Sequence, residues 1–185
     1  MYKRQILIII AIWIKIDSKG PVFYRQVRVT KNNKEFNIFK FRTMIQNADK
    51  KGSLVTVGND SRITNVGNKI RKLRLDELPQ LFNILKGDMS FVGTRPEVRK
   101  YVDCYNDEMW ATLLLPAGVT SLASIKYKDE DEIMLKKAIE GVSVDEIYLN
   151  YVLPEKMNYN LKELREFSIT SEIKLLFKTV MEVIL

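Results

Sequence analysis

The chain opens with an apolar run, because Ile6–Ile14 contains nine consecutive hydrophobic residues and Ile16 follows after a single lysine. A transmembrane helix needs roughly 20 apolar residues, so this run is too short to cross a bilayer. It is compatible with a buried strand, or with one arm of a re-entrant or interfacial membrane helix. Trp13 and Lys15 are residue types that suit a membrane interface.

Alternating hydrophobic and polar residues predict a β-hairpin after this run. Its strands are expected at Val22–Val29 and Glu35–Arg42, and Lys31–Lys34 joins them with two asparagines, which tolerate positive φ. Alternation also places Lys40 and Arg42 on one face of the second strand.

Apolar residues spaced three and four apart predict helices farther along the chain. These segments are Thr64–Leu73, a helix starting at Arg95–Glu97 with the apolar stripe Val98, Tyr101, Val102 and Tyr105, Asp129–Glu140, and a terminal helix with the stripe Ile173, Leu176, Phe177, Val180 and Ile184. The terminal stripe is more typical of core or partner packing than of membrane contact. Pro116–Thr120 is expected to form a loop.

The segment Leu75–Ser90 combines an apolar helical face with two adjacent acidic residues. The apolar positions at helical spacing are Leu78, Leu81, Phe82 and Leu85. Asp76 is the expected N-cap, Pro79 is tolerated in the first turn, and Gly87 is the expected C-terminal stop. One interpretation is that Asp76 and Glu77 only cap the helix, because acidic residues are common in first turns.

Composition limits the chemistry that this chain can perform. Its 185 residues suggest one domain, and a hydrophobic fraction of 46% is enough for a core. The absence of histidine excludes Ser-His and Cys-His nucleophile pairs and histidine metal sites. Cys104 is the sole cysteine, which excludes an internal disulfide and fits a reducing compartment. Acid–base chemistry therefore depends on Asp, Glu, Lys or Tyr.

The formal charge of +7 is distributed unevenly along the chain. Residues 1–100 contain 21 Lys and Arg against 8 Asp and Glu, whereas residues 101–185 contain 9 against 15. A basic half indicates a polyanionic surface or phosphorylated ligands, unless it is simply a solvated basic face. Nucleic acid is not expected as a partner, because there is no zinc finger, RNP-like run or basic heptad arm.

Six motifs in order make the chain similar to a known family. They are Ser18–Arg28, Phe39–Met44, Asp60–Thr64, Asp76–Gln80, Phe91–Glu97 and Pro116–Ser121. Each is weak alone, but together, at family-like spacing, they resemble the bacterial sugar transferases that start polysaccharide and glycan assembly, the monotopic phosphoglycosyl transferases. Thr94 and Ser121 depart from the proline and glycine that are frequent in the family, and neither touches the expected chemistry.

This resemblance implies transfer of a sugar 1-phosphate from a UDP-sugar to polyprenyl (undecaprenyl) phosphate, with release of UMP and with Mg²⁺ as cofactor. Asp76 would be the nucleophile that forms a covalent phosphosugar intermediate. Glu77 would help Asp76 bind the metal and would handle the lipid phosphate. A carboxylate can do this without histidine, provided that cations screen the approaching anions.

The resemblance also implies the cations that bind substrate phosphates. Arg95 would face the nucleotide or its phosphates, and Lys40, Arg42 and Arg62 would line the site. Further candidates are the cations Arg71 and Arg74 and, less strongly, the carboxylates Asp60 and Asp88. Each residue has a structural alternative: Arg71 in a surface ion pair, Lys40 and Arg42 covering the open hairpin face, and Asp60 and Asp88 fixing turns.

The fold implied is α+β: a small antiparallel hairpin or sheet packed by several helices, with an apolar N-terminal re-entrant-type membrane helix. We expect residues 1–17 to be a truncated membrane helix, of which only the second arm is present, and 18–185 to be one catalytic domain. The domain would face the cytosol at the bacterial cytoplasmic membrane. Membrane lipid is thus an expected partner, a homo-oligomer is compatible, and anchoring is expected to be poor.

The first five residues give a reason for this expected truncation. Translating GTGTATAAGAGACAG from a GTG start gives Met1–Gln5, and this string is the transposon end that is used to fragment DNA for sequencing. We therefore interpret residues 1–5 as a library artefact and expect the natural gene to extend upstream.

Two other classes of protein compete with an enzyme. A catalytically silent scaffold of a polysaccharide assembly complex would use the acidic half and the terminal helix for docking. A basic module that binds anionic lipid or nucleic acid would bind through phosphates, with an affinity that falls steeply as salt rises and does not depend on Asp76.

Overall fold

An antiparallel hairpin forms the first sheet in the computed structural model, which describes residues 2–48, 60–137 and 141–184. Strands β1 (Phe23–Thr30) and β2 (Lys34–Phe41) pair from Phe23 opposite Phe41 to Thr30 opposite Lys34. A 3₁₀ turn at Lys31–Asn33 joins them, and both asparagines have positive φ, as predicted. The hairpin and the α+β class are thus confirmed.

The remaining elements surround this hairpin. In chain order they are α1 (Tyr2–Asp17), α2 (Asn65–Lys72), α3 (Leu81–Leu85), β3 (Met89–Val92), α4 (Arg99–Val102), β4 (Ala117–Thr120), α5 (Leu122–Lys126), α6 (Glu130–Lys136), α7 (Val144–Ile147), α8 (Leu153–Arg165) and α9 (Ile169–Ile184). Short 3₁₀ helices occupy Leu75–Gln80 and Met109–Leu114, and a π-helical turn at Tyr148–Val152 joins α7 to α8.

The expected loop at Pro116–Thr120 is wrong, because residues 117–120 form β4, which pairs in parallel with β3. Both strands have only four residues, too few to show a clear alternation. Gly118 of β4 allows the strand to lie close to the backbone at Gly93, since a Cβ atom at position 118 would be 2.2 Å from the main-chain nitrogen of Gly93.

The apolar N-terminal run is a helix, so the alternative of a buried strand is wrong. Ile10 and Ile14 of α1 are buried in a cluster with Phe41 of β2 and with Val66 and Ile70 of α2. The opposite side of α1 is apolar and exposed at Ile6, Ile8, Ile9, Ile12, Trp13 and Ile16. Within the described residues, no helix has both the length and the apolar character needed to cross a membrane.

Polar contacts fix the C-terminal end of α1 to the domain. The Asp17 carboxylate accepts the main-chain N–H of Val66 at 3.2 Å, in the first turn of α2. The Arg42 guanidinium donates to the carbonyls of Ser18, at 2.7 Å, and of Lys19. Helices α1 and α2 and the end of β2 are therefore tied together by hydrogen bonds as well as by apolar packing.

A second, larger apolar cluster lies between the hairpin and the helices that follow β3. The predicted stripe Val98, Tyr101, Val102 and Tyr105 is buried there. The predicted helix start at Arg95 is wrong, however, since α4 begins at Arg99. Pro96 disfavours helical backbone at the residue before it, and the carbonyl of Glu97 accepts the N–H of Val29 at 3.0 Å.

The helices predicted at Thr64–Leu73, Asp129–Glu140 and the C-terminus are present with small shifts. The Thr64 hydroxyl caps α2, and Asp129 is the N-cap of α6; residues 138–140 lie outside the described part. On α9 the interpretation as core is wrong, because Ile173, Phe177 and Val180 are at least half exposed. Partner packing of that stripe stays a prediction.

Asn83 of α3 should stabilise the fold, because its side chain pairs with the free edge of β2. Its Oδ1 accepts the N–H of Phe39 at 3.0 Å, and its Nδ2 donates to the carbonyl of Asn37 at 2.8 Å. Asn83 is fully buried. We expect Asn83→Ala to lower the free energy of unfolding by about 1–3 kcal/mol, because two strand groups lose their partners.

Urea-induced unfolding measures this effect, and Asn158→Ala on exposed α8 surface is the matched control, expected within about 0.5 kcal/mol of the parent. Equal stability of the two variants would contradict the edge-pairing role of Asn83.

Candidate active site

The two adjacent carboxylates lie on the 3₁₀ helix Leu75–Gln80, directly after α2. The prediction that Asp76 is the N-cap is wrong, because the helix starts at Leu75. Arg74 takes the left-handed conformation with φ 54°, and its carbonyl accepts the N–H of Glu77 at 3.3 Å. Arg74 is therefore the cap, and Asp76 and Glu77 occupy the first turn.

The apolar face predicted downstream of these carboxylates is helical but mostly not buried. Leu81, Phe82 and Leu85 are 46%, 50% and 83% exposed, whereas Leu78 packs partly against the α1–α2 cluster. Gly87 follows the helix with φ 79°, in agreement with the predicted stop.

Glu77 is the carboxylate that draws separate parts of the chain together. Its Oε1 accepts Nη2 of Arg95 at 2.6 Å and lies 3.3 Å from Nζ of Lys40. Burial disfavours the ionised carboxylate, but Arg95 and Lys40 outweigh this effect and hold the pKa of Glu77 well below its usual range. Burial, followed by repulsion from Arg95, lowers the pKa of Lys40 to about 8 against the attraction of Glu77.

Asp76 is in a different electrostatic state from its neighbour. Its side chain is buried, with 8% of the residue exposed. Burial is the main cause that raises the pKa of Asp76, and the charge on Glu77 adds to it, although Lys40, Arg71 and Arg95 oppose the rise. The pair therefore joins a firmly ionised carboxylate to a more basic one, which is a common arrangement in catalytic sites.

The structure brings some other predicted residues close to this pair. The charge of Arg71 acts on both Asp76 and Asp60. Arg74 lowers the pKa of Glu77, and its guanidinium donates to the carbonyl of Lys128 at 3.0 Å.

Four predicted residues make contacts of another kind. Asp60 binds the Arg62 guanidinium through both oxygens and accepts the Arg62 N–H, as its alternative role in a turn predicts. Arg42 lies at the end of α1, because the strand stops at Phe41 and the guanidinium turns to the Ser18 and Lys19 carbonyls. The main chain of Asp88 is bonded to Thr30 and Asn83 just before β3.

Sequence reasoning missed a buried ionic cluster beside Arg95. It consists of Arg28, Glu97, Tyr148, Lys156 and Glu130. Alternation along β1 was an available signal for Arg28, because it shares a strand face with Tyr24, which pairs opposite Lys40. Glu97 and Lys156 gave no such signal, since charged residues are seldom buried and their pairing joins distant parts of the chain.

The donor set suits a magnesium ion only together with substrate oxygens. Asp76 and Glu77 supply hard carboxylate oxygens, and Mg²⁺ is commonly held by one or two carboxylates plus substrate phosphates. Among the described residues there is no group of three His, Cys, Asp or Glu side chains that could hold a metal alone. The residues present therefore fit an ion shared with a diphosphate.

Comparison with known proteins identifies the family of the chain. The family model described as bacterial sugar transferase matches residues 2–185, and the chain belongs to this family. It is similar to UDP-N-acetylgalactosamine-undecaprenyl-phosphate N-acetylgalactosaminephosphotransferase of Aeromonas hydrophila, with 36% identity over 92% of this chain and 37% of the relative. It is also similar to UDP-glucose:undecaprenyl-phosphate glucose-1-phosphate transferase of Escherichia coli K12, with 32% identity over 95% of this chain and 35% of the relative.

A shorter relative is the uncharacterized sugar transferase EpsL of Bacillus subtilis strain 168, which is 42% identical over 67% of this chain and 60% of its own length. The chain spans little more than a third of the length of the Aeromonas and Escherichia relatives.

The raised pKa of Asp76 generates a test of its electrostatic state. Ionising this buried carboxyl costs folding free energy, and the cost appears as pH rises above the ordinary Asp pKa of about 3.9 and through the raised value. A neutral asparagine at this position avoids the cost of ionisation. We expect Asp76→Asn to melt higher than the parent near pH 7.5 and to lose this advantage near pH 4.

Thermal unfolding in metal-free buffer at both pH values measures the difference, with exposed Asp107→Asn as the control. A melting difference that is the same at both pH values, or larger in acid, would show that Asp76 is not destabilised when ionised.

Proposed function

We propose that this chain provides the catalytic domain of a sugar-1-phosphate transferase that uses a UDP-sugar and undecaprenyl phosphate. The main support is the contrast between two adjacent carboxylates: Glu77 held by Arg95 and Lys40, and Asp76 buried with a raised pKa. The printed activities of the Aeromonas and Escherichia relatives support the same substrate class.

In the first step, an Asp76 carboxylate oxygen attacks the phosphorus that bears the sugar. A bond forms between this oxygen and phosphorus, the bond to the bridging oxygen breaks, and UMP leaves with the electron pair. The product is a phosphosugar–aspartate intermediate. The raised pKa of Asp76 is consistent with this role, because a more basic carboxylate is a better nucleophile once it is ionised.

In the second step, a phosphate oxygen of undecaprenyl phosphate attacks the same phosphorus. The bond to Asp76 breaks, its carboxylate is restored, and the sugar leaves on undecaprenyl diphosphate. No proton transfer to histidine is needed, which agrees with a chain that has none.

Cations are needed because each step brings two anions together. Arg95 and Lys40 converge on one oxygen of Glu77, so they form a positive site beside Asp76 that a diphosphate can approach. Arg71 adds to the positive potential at Asp76. Asp76 and Glu77 would hold Mg²⁺, which would neutralise charge on the phosphate oxygens when bound.

We also place this domain at the cytoplasmic face of the bacterial cytoplasmic membrane. The exposed apolar side of α1, at Ile6, Ile9, Ile12 and Ile16, supports contact with lipid. The undecaprenyl acceptor, which the relatives' names print, would reach the site from the same surface.

A silent scaffold accounts less well for the site. Removing Asp76, Glu77, Lys40 and Arg95 largely from water is costly, and a protein that only docks partners gains nothing from it. A lipid-binding module needs exposed cations, whereas Lys40 is mostly buried.

Intact mass spectrometry tests the covalent mechanism. The detergent-solubilised chain is incubated with Mg²⁺ and a panel of UDP-sugars, beside Asp76→Asn and Asp107→Asn. We expect the parent and the Asp107 variant to gain one sugar phosphate and Asp76→Asn to gain none. The mass gained would identify the class of sugar, and the half-reaction needs no lipid acceptor.

Absence of an adduct on demonstrably folded parent protein would contradict the proposed mechanism. Vesicle binding then separates the alternatives, since salt-sensitive binding that Asp76→Asn does not change would favour the lipid module.

A further inference from the structure

Glu97 lies two residues beyond Arg95 and is almost fully buried, with 6% of its surface exposed. Its Oε1 accepts the Tyr148 hydroxyl at 2.5 Å and lies 3.5 Å from Nζ of Lys156. Its Oε2 lies 3.7 Å from Nη1 of Arg28. The carboxylate therefore pairs with two cations and one hydroxyl, all largely removed from water.

The same contacts hold the backbone next to Arg95. Nη1 of Arg28 donates to the Pro96 carbonyl at 3.0 Å, and the Val29 N–H donates to the Glu97 carbonyl at 3.0 Å. Arg28 thus binds both the Glu97 side chain and the residue that directly follows Arg95. A displacement of Arg28 would therefore shift the backbone that carries Arg95.

The other side of this segment is fixed to the second sheet. The Gly93 N–H donates to the Thr120 carbonyl at 3.0 Å, and the Gly118 N–H donates to the Thr94 carbonyl at 2.9 Å. The Arg95 segment is therefore held at both ends, by β4 on one side and by β1 with Glu97 on the other.

Glu97 offsets positive charge beside Arg95. Burial is the main cause that lowers the pKa of Arg28, and nearby Arg95 lowers it further, while Glu97 opposes both. Glu97 thus compensates Arg28 and Lys156, whereas Glu77 is the carboxylate that binds Arg95 directly. Without Glu97, buried Lys156 and mostly buried Arg28 would lie next to Arg95 with less negative charge among them.

We propose that Glu97 is a positioning residue that, through Arg28 and the Pro96 carbonyl, holds the Arg95 guanidinium where it binds the diphosphate of the donor. This inference rests on the proposed function of the site. A purely structural Glu97 would affect folding alone, whereas a positioning residue also affects donor binding in the protein that remains folded.

Steady-state kinetics of Glu97→Gln tests this role, because glutamine keeps the shape of the side chain and removes its charge. We expect the KM for the UDP-sugar to rise about tenfold with kcat changed less than about twofold. The KM for polyprenyl phosphate should not change. Adding Lys156→Met removes one buried positive charge, so the double variant should recover part of the lost donor affinity.

Glu155→Gln is the matched control, and Glu155 lies on α8 next to Lys156. Glu155 also accepts a tyrosine hydroxyl, that of Tyr127, and pairs with Lys137 at 3.4 Å, but it lies on the exposed side of α8. The Glu155→Gln variant should leave the KM values for the UDP-sugar and for polyprenyl phosphate unchanged. Tyr148→Phe removes one hydrogen bond to Glu97 without a change of charge, and we expect it to raise the donor KM by about threefold.

The equilibrium dissociation constant for UDP, measured by calorimetry, separates this inference from the proposed function. A parent that binds UDP but forms no covalent adduct with any UDP-sugar would contradict the mechanism, yet weaker UDP binding in Glu97→Gln would still support positioning. A lower melting temperature of Glu97→Gln or Tyr148→Phe with unchanged donor KM and UDP affinity would overturn the inference. Equal rises in the KM for both substrates would overturn it too.

Discussion

The structure of the site depends on one carboxylate oxygen, Oε1 of Glu77, which Arg95 and Lys40 approach from different parts of the chain. Lys40 comes from the hairpin, Glu77 from the turn after α2, and Arg95 from the segment after β3. Each of these charges would be expensive to bury alone, whereas together they satisfy one another. The hairpin, the turn and the second sheet are thereby held in one arrangement.

The same interaction gives adjacent carboxylates different properties. Asp76 is buried and Glu77 is mostly buried, but the cations meet on Glu77, so only Asp76 of the two has a raised pKa. Two residues of the same chemical class therefore differ in the direction of their pKa shifts because of their partners, not because of their intrinsic acidity. A tight 3₁₀ turn makes this separation possible, since it directs successive side chains in different directions.

Local signals in the sequence predict the local parts of this structure. Two asparagines specify the hairpin turn, Thr64 marks the start of α2, and the adjacent Asp76 and Glu77 indicate the site. Non-local parts could not be predicted. The parallel pairing of β3 with β4 joins four-residue strands that have no distinctive pattern. The contact between Glu97 and Lys156 joins residues that are far apart in the sequence. The exposed stripes on α3 and α9 show that amphipathic spacing predicts a helix but not what covers its apolar face.

The bonds from Asp17 and Arg42 have a consequence for how the chain tolerates insertions and fusions. They fix α1 to α2, and only Leu73 and Arg74 separate α2 from the turn that bears Asp76. An added residue at the end of α1, or between α2 and the turn, would rotate or translate the carboxylates relative to the hairpin. The exposed turn at Lys31–Asn33 lies at the far end of the hairpin from Phe41. A reporter domain inserted there would leave the spacing between α1 and Asp76 unchanged.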